Sequence, residues 1–166
     1  MALATLIKRL QDIMRGDACV GGDKQRLYQI VWILFLKIFD YKEEEWELTQ
    51  DDYAPIIPIG YRWRDWVTGA SVKEQMTGEE LIDFVNNKLF RVLSGDAVKD
   101  EKGEDVYLFT RSDRASLIVR ELMRESSNFM KNGVLLRQLL NIFDEIDFSD
   151  YNERHAFNDI YETSLK

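Results

Sequence analysis

A single cysteine, Cys19, and a single histidine, His155, are the scarcest chemistry in this chain. One thiol excludes an internal disulfide, and one thiol with one imidazole cannot build a structural zinc site. Both residues therefore read as surface or structural positions, and the lack of disulfides suits a reducing compartment. Proline is nearly as rare, with only Pro55 and Pro58. Long hydrophobic runs are missing too. The most apolar stretch, LYQIVWILFLKIFD, gives 13 residues from Leu27 to Phe39 with Lys37 among them. That is about 20 Å of helix against the ~30 Å a bilayer requires. The amino-terminal MALATLIKRL carries its Lys-Arg pair after a short apolar run, the reverse of a secretory leader. Ala2 removes the myristoylation motif. The expectation is a cytoplasmic protein with no membrane association.

Catalytic fingerprints are absent as well. There is no GxGxxG, GxxxxGK(S/T) or HExxH, and no Gly-x-Ser-x-Gly elbow. Positive charge is in deficit: 22 bases face 30 acids, for a net charge of −8 and a pI of about 4.8. Averaged over the surface, that field repels phosphate, so any DNA contact needs a local basic patch.

What is present is an ordinary globular balance, 45% hydrophobic and 31% charged over 166 residues. A chain of this length buries roughly 70% of its unfolded surface as one domain. The pattern predicts a mainly α fold, a compact bundle of about six helices with a long aromatic- and proline-bearing loop and a short hairpin. The first helix spans about Ala2 to Met14, with Leu3, Leu6, Ile7, Leu10 and Ile13 on one face. Asp23 stands where an N-cap would open a second helix, Lys24 to about Glu47, whose middle from Ile30 to Leu36 is apolar on every side. Its acidic end, in DYKEEEWELTQDD, reads as a solvated face. Residues 49 to 75 form the long connection, which holds Trp63 and Trp66. Thr77-Gly-Glu-Glu80 reads as a capping box opening a third helix to about Leu93. SGDAVKDEKGED is an exposed loop and VYLF a short strand or lead-in. A fourth helix, about Asp113 to Ser126, has Ala115, Ile118, Val119 and Leu122 as its apolar face. A fifth runs from Gly133 to about Phe143, before the acidic turn DEIDFSD. The last, NERHAFNDIYETSLK, reaches Lys166 without a stop signal, as in a chain that continues.

Two basic features are candidate nucleic-acid contacts. Between Arg111 and Arg137 six bases (Arg111, Arg114, Arg120, Arg124, Lys131, Arg137) face three acids (Asp113, Glu121, Glu125). Arg120 and Arg124, four apart, share a helix face and could form a phosphate stripe, or could be neutralised by Glu121 and Glu125 within the helix. In GYRWRDW, Arg62 and Arg64 alternate with Tyr61, Trp63 and Trp66, a pattern that can grip nucleic acid or pack a loop.

Four segments then converge on a known family. DKQRLYQIVWILFLKIFD resembles the early helix of the modification (M) subunits of type I restriction–modification systems, with its Leu-Phe-Leu-Lys end. IPIGYRWRDW is similar to the family's proline followed by an aromatic-Arg-Trp stretch. NGVLLRQLLNIFDEIDFSD resembles its next-to-last helix and acidic turn, and AFNDIYETSLK the Asp-Ile-Tyr-Glu helix that leads into the catalytic domain. The resemblance covers nearly the whole chain in the right order. It implies that residues 1–166 are one helical N-terminal domain of an S-adenosylmethionine-dependent adenine-N6 DNA methyltransferase, with the catalytic domain expected after 166. The family's Asn-Pro-Pro-aromatic signature is not here, because no asparagine of this chain precedes a proline. The segment itself is expected to bind no cofactor or metal and to be inactive alone. Implied partners are a specificity subunit, a second modification subunit, a restriction subunit and duplex DNA. Candidate DNA contacts are Arg62, Arg64, Arg111, Arg114, Arg120, Arg124 and Lys131. The alternative is a stand-alone helical interaction or regulatory module with no enzyme attached.

Overall fold

The computed structural model describes residues 3–18, 20–69, 75–148 and 155. Helix α1, Leu3–Arg15, is amphipathic: Leu6, Leu10 and Met14 repeat every four residues and are buried. The side chains of Leu3 and Ile7, also expected on that face, lie outside the description. Past its end, the buried Asp17 carboxylate accepts from the Lys131 and Asn132 amides, both at 2.8 Å. A carboxylate thus ties the first helix to the segment opening the last described one.

Helix α2, Gly22–Thr49, begins a residue or two before the expected start. Its N-cap is Gly21 rather than Asp23, and no side chain caps it. Gln25 instead reaches back to accept from the Gly21 amide at 2.7 Å. Asp23, the second residue of the helix, pairs with Arg26. Gln29, Trp32, Ile33, Leu36, Phe39, Asp40 and Glu43 form its buried stripe at three- and four-residue steps. Ile30, Val31 and Phe35 are only half-buried, so this helix is less enclosed than its composition predicted.

The long connection contains a π-helical turn, Arg64–Thr68. Helix α3, Gly78–Phe84, widens to a π segment, Val85–Leu89, and resumes as α4, Phe90–Leu93. Leu81, Val85, Leu89 and Leu93 are all fully buried. A four-residue repeat overruns the 3.6-residue turn, and the wider π turns keep these side chains in one row. Thr77 sits at the N-cap, but its side chain makes no capping bond, so the predicted capping box is not formed. The helix ends at Gly95 (φ +83°), where Gly95 and Asp96 amides donate to the Val92 and Arg91 carbonyls. Only the left-handed turn, natural to glycine, allows that pair of bonds.

Strands β1, Val98–Lys99, and β2, Asp105–Val106, form the expected hairpin, with Val98 opposite Val106 and Lys99 opposite Asp105. Helix α5, Arg114–Glu125, is capped by Asp113, whose side chain accepts from the Ser116 amide. Helix α6, Gly133–Asp144, is capped by Asn132 in the same manner. It touches α1, α2, α3 and the π-helical turn, and Leu136, Leu139, Leu140, Ile142 and Phe143 are all buried. Helix α6 thus packs against more of the other elements than α2 does, although each buries five large apolar side chains. The final predicted helix lies outside the described residues, apart from His155, which is helical and exposed.

Candidate functional site

The GYRWRDW segment lies across the acidic half of α2 and the end of α6, and its charges are fully engaged there. Arg62 grips Asp65 with two bonds of 2.9 Å and stands 3.8 Å from Glu47. Arg64 donates to Asp40 at 2.9 Å and to both oxygens of Glu47 at 2.9 and 3.1 Å. Trp63 and Trp66 are buried, and the Trp63 indole donates to Asp144 at 2.9 Å. Thr68 and Lys37 reach the same carboxylate. The packing reading of this motif therefore describes its geometry. The acidic end of α2 is not simply a solvated face, since Asp40 and Glu43 are buried.

Those two acids differ in how they are held. Burial raises the Asp40 pKa above its ordinary range, against the opposing pull of Arg64. Burial also raises Glu43, which accepts from the Tyr53 hydroxyl at 2.9 Å and the Ile56 amide at 2.6 Å. Its second oxygen is buried without a hydrogen-bond partner among the described residues. Asp65 is the reverse case: burial would raise it, but bonds from Arg62 and the Gly60 amide hold it below the ordinary value. Arg111 completes the arrangement from outside, donating to the Ala54 and Pro55 carbonyls and pairing with Asp113.

The arginines of α5 do something different. Arg124 donates to the Ser94 carbonyl at 2.8 Å, at the end of α4. Arg120 lies 5.0 Å from the Phe109 ring centre and donates to the Phe109 carbonyl at 3.4 Å. Both lie against Gly95, where an added Cβ would come within 2.7 Å of Arg120 and 3.2 Å of Arg124. They serve as a C-terminal cap and a ring cover. Neither pairs with Glu121 or Glu125, which are exposed with no ion pair among the described residues. Arg137 is 6% exposed and donates to the Trp66 and Val67 carbonyls, so it leaves the local basic count altogether. Burial lowers its pKa.

Arg114 and Lys131 are exposed, and their side chains have no partner among the described residues. Lys131 follows a corner that sequence reasoning missed. There the fully buried Gln29 amide donates to Asn128 at 2.8 Å and accepts from the Phe129 amide at 2.7 Å. Phe129 stacks on Tyr28 at 6.4 Å, and Asn128 also reaches Asn86 in the π segment. A glutamine inside an apolar helical stripe was the one signal that could have revealed it. Helix α5 also faces outward with Leu117 and Ile118, at 51% and 46% exposure. Ile118 had been expected inside; the buried face is Ser116, Val119 and Met123. No group of three metal-ligating side chains occurs among the described residues, and no described helix is long and apolar enough to cross a membrane.

Comparison with known proteins places this scaffold. Residues 3–143 match the HsdM N-terminal domain family. Over all 166 residues the chain is 47% identical to the type I restriction enzyme EcoEI methylase subunit of Escherichia coli. It spans about a third of that relative, 31% of its length. Two solved structures share the fold. One, from work on complex assembly and conformational transition of the type I restriction–modification system, is 29% identical with a TM-score of 0.78, covering 98% of this chain and 29% of the other. The second is a modification subunit assigned to a type I restriction enzyme of Vibrio vulnificus, 30% identical with a TM-score of 0.72, covering 98% and 34%. The chain belongs to the HsdM N-terminal domain family, the helical amino-terminal part of type I restriction–modification modification subunits.

Proposed function

We propose that this domain assembles and clamps DNA within a type I methyltransferase whose catalytic part carries out S-adenosylmethionine-dependent adenine-N6 methylation. The observation that carries the reading is the match of residues 3–143 to the family, together with 47% identity to a methylase subunit along the entire chain. The proposed partners are the specificity subunit, a second modification subunit, the restriction subunit and duplex DNA, in the cytoplasm. Extruding a base from duplex DNA costs a few kcal/mol and requires the duplex to be held. A rigid helical module suits that task without any chemistry of its own, so the 166 residues form one non-catalytic domain.

Of the seven candidate contacts, Lys131 suits phosphate best. Its side chain is exposed and has no partner among the described residues, on the segment between Phe129, which stacks on Tyr28, and the Asn132 cap of α6. Arg62, Arg64, Arg120 and Arg124 act indirectly, by holding the surface in shape. Arg111 is divided between two carbonyls and Asp113, and Arg114 stands beside apolar side chains that suit protein better than phosphate.

The test is DNA affinity of the assembled parent against salt. Lys131→Ala should reduce the slope of log K on log salt by about 1. An unchanged slope removes Lys131, and methyl transfer by the 166-residue chain alone would overturn the non-catalytic assignment.

A further inference from the structure

The outward face of α5 carries its charges in the wrong order for the helix that bears them. Arg114, Leu117, Ile118, Glu121 and Glu125 fall on one side at three- and four-residue steps, and all five are exposed. A helix favours acids in its first turn and bases in its last, because its amino-terminal end is partially positive and its carboxy-terminal end partially negative. Here Arg114 is the first residue of the helix and Glu125 the last. Glu121 and Glu125, four apart, also repel each other along the face. None of these three charges has an ion-pair partner among the described residues. The charges that serve the fold follow the ordinary order: Asp113 caps the start, and Arg124, on the flank, donates to the Ser94 carbonyl near the other end. Between the reversed charges, Leu117 and Ile118 are 51% and 46% exposed. The domain alone gains nothing from this face, so what favours it lies outside the domain.

We propose that this face docks a helix of a different polypeptide, one with an apolar seam, an acidic first turn and a basic last turn, running in the same direction as α5. Its acids then lie over Arg114, its seam over Leu117 and Ile118, and its bases over Glu121 and Glu125. Such a helix has its own charges in the order its dipole favours, so its helicity does not depend on the contact. A helix running the other way would need the same unfavourable order that α5 has. The two glutamates repel phosphate, which excludes nucleic acid as the occupant. Helix α5 has 12 residues, about 18 Å. A contact of that length falls below the roughly 800 Å² per partner of a standard interface, so it strengthens and orients an assembly held elsewhere as well. The inference rests on the assembly reading and deepens it, naming a face and the chemistry of what covers it.

The experiment uses the full-length parent with its specificity and restriction subunits. Sedimentation of the unsubstituted mixture tests the assembly reading itself, and the variants then test the face. A photo-reactive residue in place of Ile118 should cross-link to a segment of another subunit in which acids precede bases by about two helical turns. Arg114→Glu and Glu121→Arg should each weaken association with that subunit about tenfold. In the 166-residue chain alone, the same reversals restore the favoured order and should raise Tm by about 1–4 °C. Opposite signs mark a docking face; charges that served the fold would lower both readouts together. Cross-linking from position 118 to a second copy, to DNA or to nothing overturns the proposal. So does unchanged association in both variants, or a Tm that falls.

Discussion

The arginines of GYRWRDW and those of α5 look interchangeable on paper, bases spaced among apolar residues, yet the fold gives them different partners. Arg62 and Arg64 meet carboxylates: Asp65, Asp40 and Glu47. Arg120 and Arg124 meet main-chain carbonyls at Phe109 and Ser94. The first pair neutralises acids that the burial of α2 would otherwise strand. The second satisfies the end of a helix and leaves Glu121 and Glu125 exposed on the outer face, with no ion pair among the described residues. A base is available to a partner only after the needs of the fold have been met, and proximity in sequence does not say which need comes first.

The contrast predicts a graded series. The largest effect is expected from Arg64→Ala, which takes the guanidinium from an Asp40 side chain that is only 8% exposed. Urea denaturation should show a loss of about 3 kcal/mol, with Arg64→Lys recovering part of it, because one ammonium cannot serve Asp40 and Glu47 as a guanidinium does. A cost under about 1 kcal/mol would make this ion-pair network ornamental. Next comes Gly95→Ala, at about 2 kcal/mol, from its left-handed backbone and the collision with Arg120. In an Arg120→Ala background that collision disappears, and only the backbone part and the tight 3.2 Å approach to Arg124 should remain. Strict additivity would show that Arg120 does not lie where the contact places it.

Arg124→Ala should cost about 1 kcal/mol, the worth of one bond to a helix-end carbonyl. Its effect should vary little with pH, whereas the carboxylate network should respond to it. The finest distinction is therefore one of slope. Glu43 is raised above its ordinary 4.5, so just above that pH the unfolded chain has released the proton that the folded chain keeps. Stability contributed by Glu43 is present below that value and falls as pH rises through its folded pKa. Asp65, held below its ordinary 3.8, gives the opposite trend, losing stability as pH falls through its lowered value. Glu43→Gln should reduce the first slope, which the likewise raised Asp40 shares, without touching the second, as read by denaturation midpoints across pH 3–7. Two slopes changing together would mean that the buried acids titrate as one unit.

Much of the scaffold was legible in the sequence. A short hairpin was expected, but its strands fall largely in SGDAVKDEKGED, which reads as an exposed loop; the amphipathic spacing gave α1 and α5, because local chemistry decides these features. The tryptophans of the long connection were readable as packing for the same reason. The capping box at Thr77 was not formed, and Asp23 yielded its cap to Gly21, since a side chain able to cap has other bonds open to it. Ile118 was assigned to the wrong side because helical periodicity locates a stripe without fixing its edges. The placement of Arg120, Arg124 and Arg137 was out of reach. Each binds a carbonyl that tertiary folding brings to it, at separations of 11, 30 and 70 residues.

The starts of α3 and α6 meet where Gly133 lies so close to Gly78 that a Cβ on the former would fall 1.8 Å from the carbonyl oxygen of the latter. The hairpin and α5 are thus a closed excursion, leaving at one glycine and returning at the other. Closure entropy grows only logarithmically with length, so doubling such an excursion costs about 0.6 kcal/mol. Relatives can therefore lengthen the hairpin tip at Asp100–Glu104 with little penalty. The two-glycine joint admits no side chain at Gly133 unless the helices move apart, which makes it the fixed point around which the rest of that excursion is free to diverge.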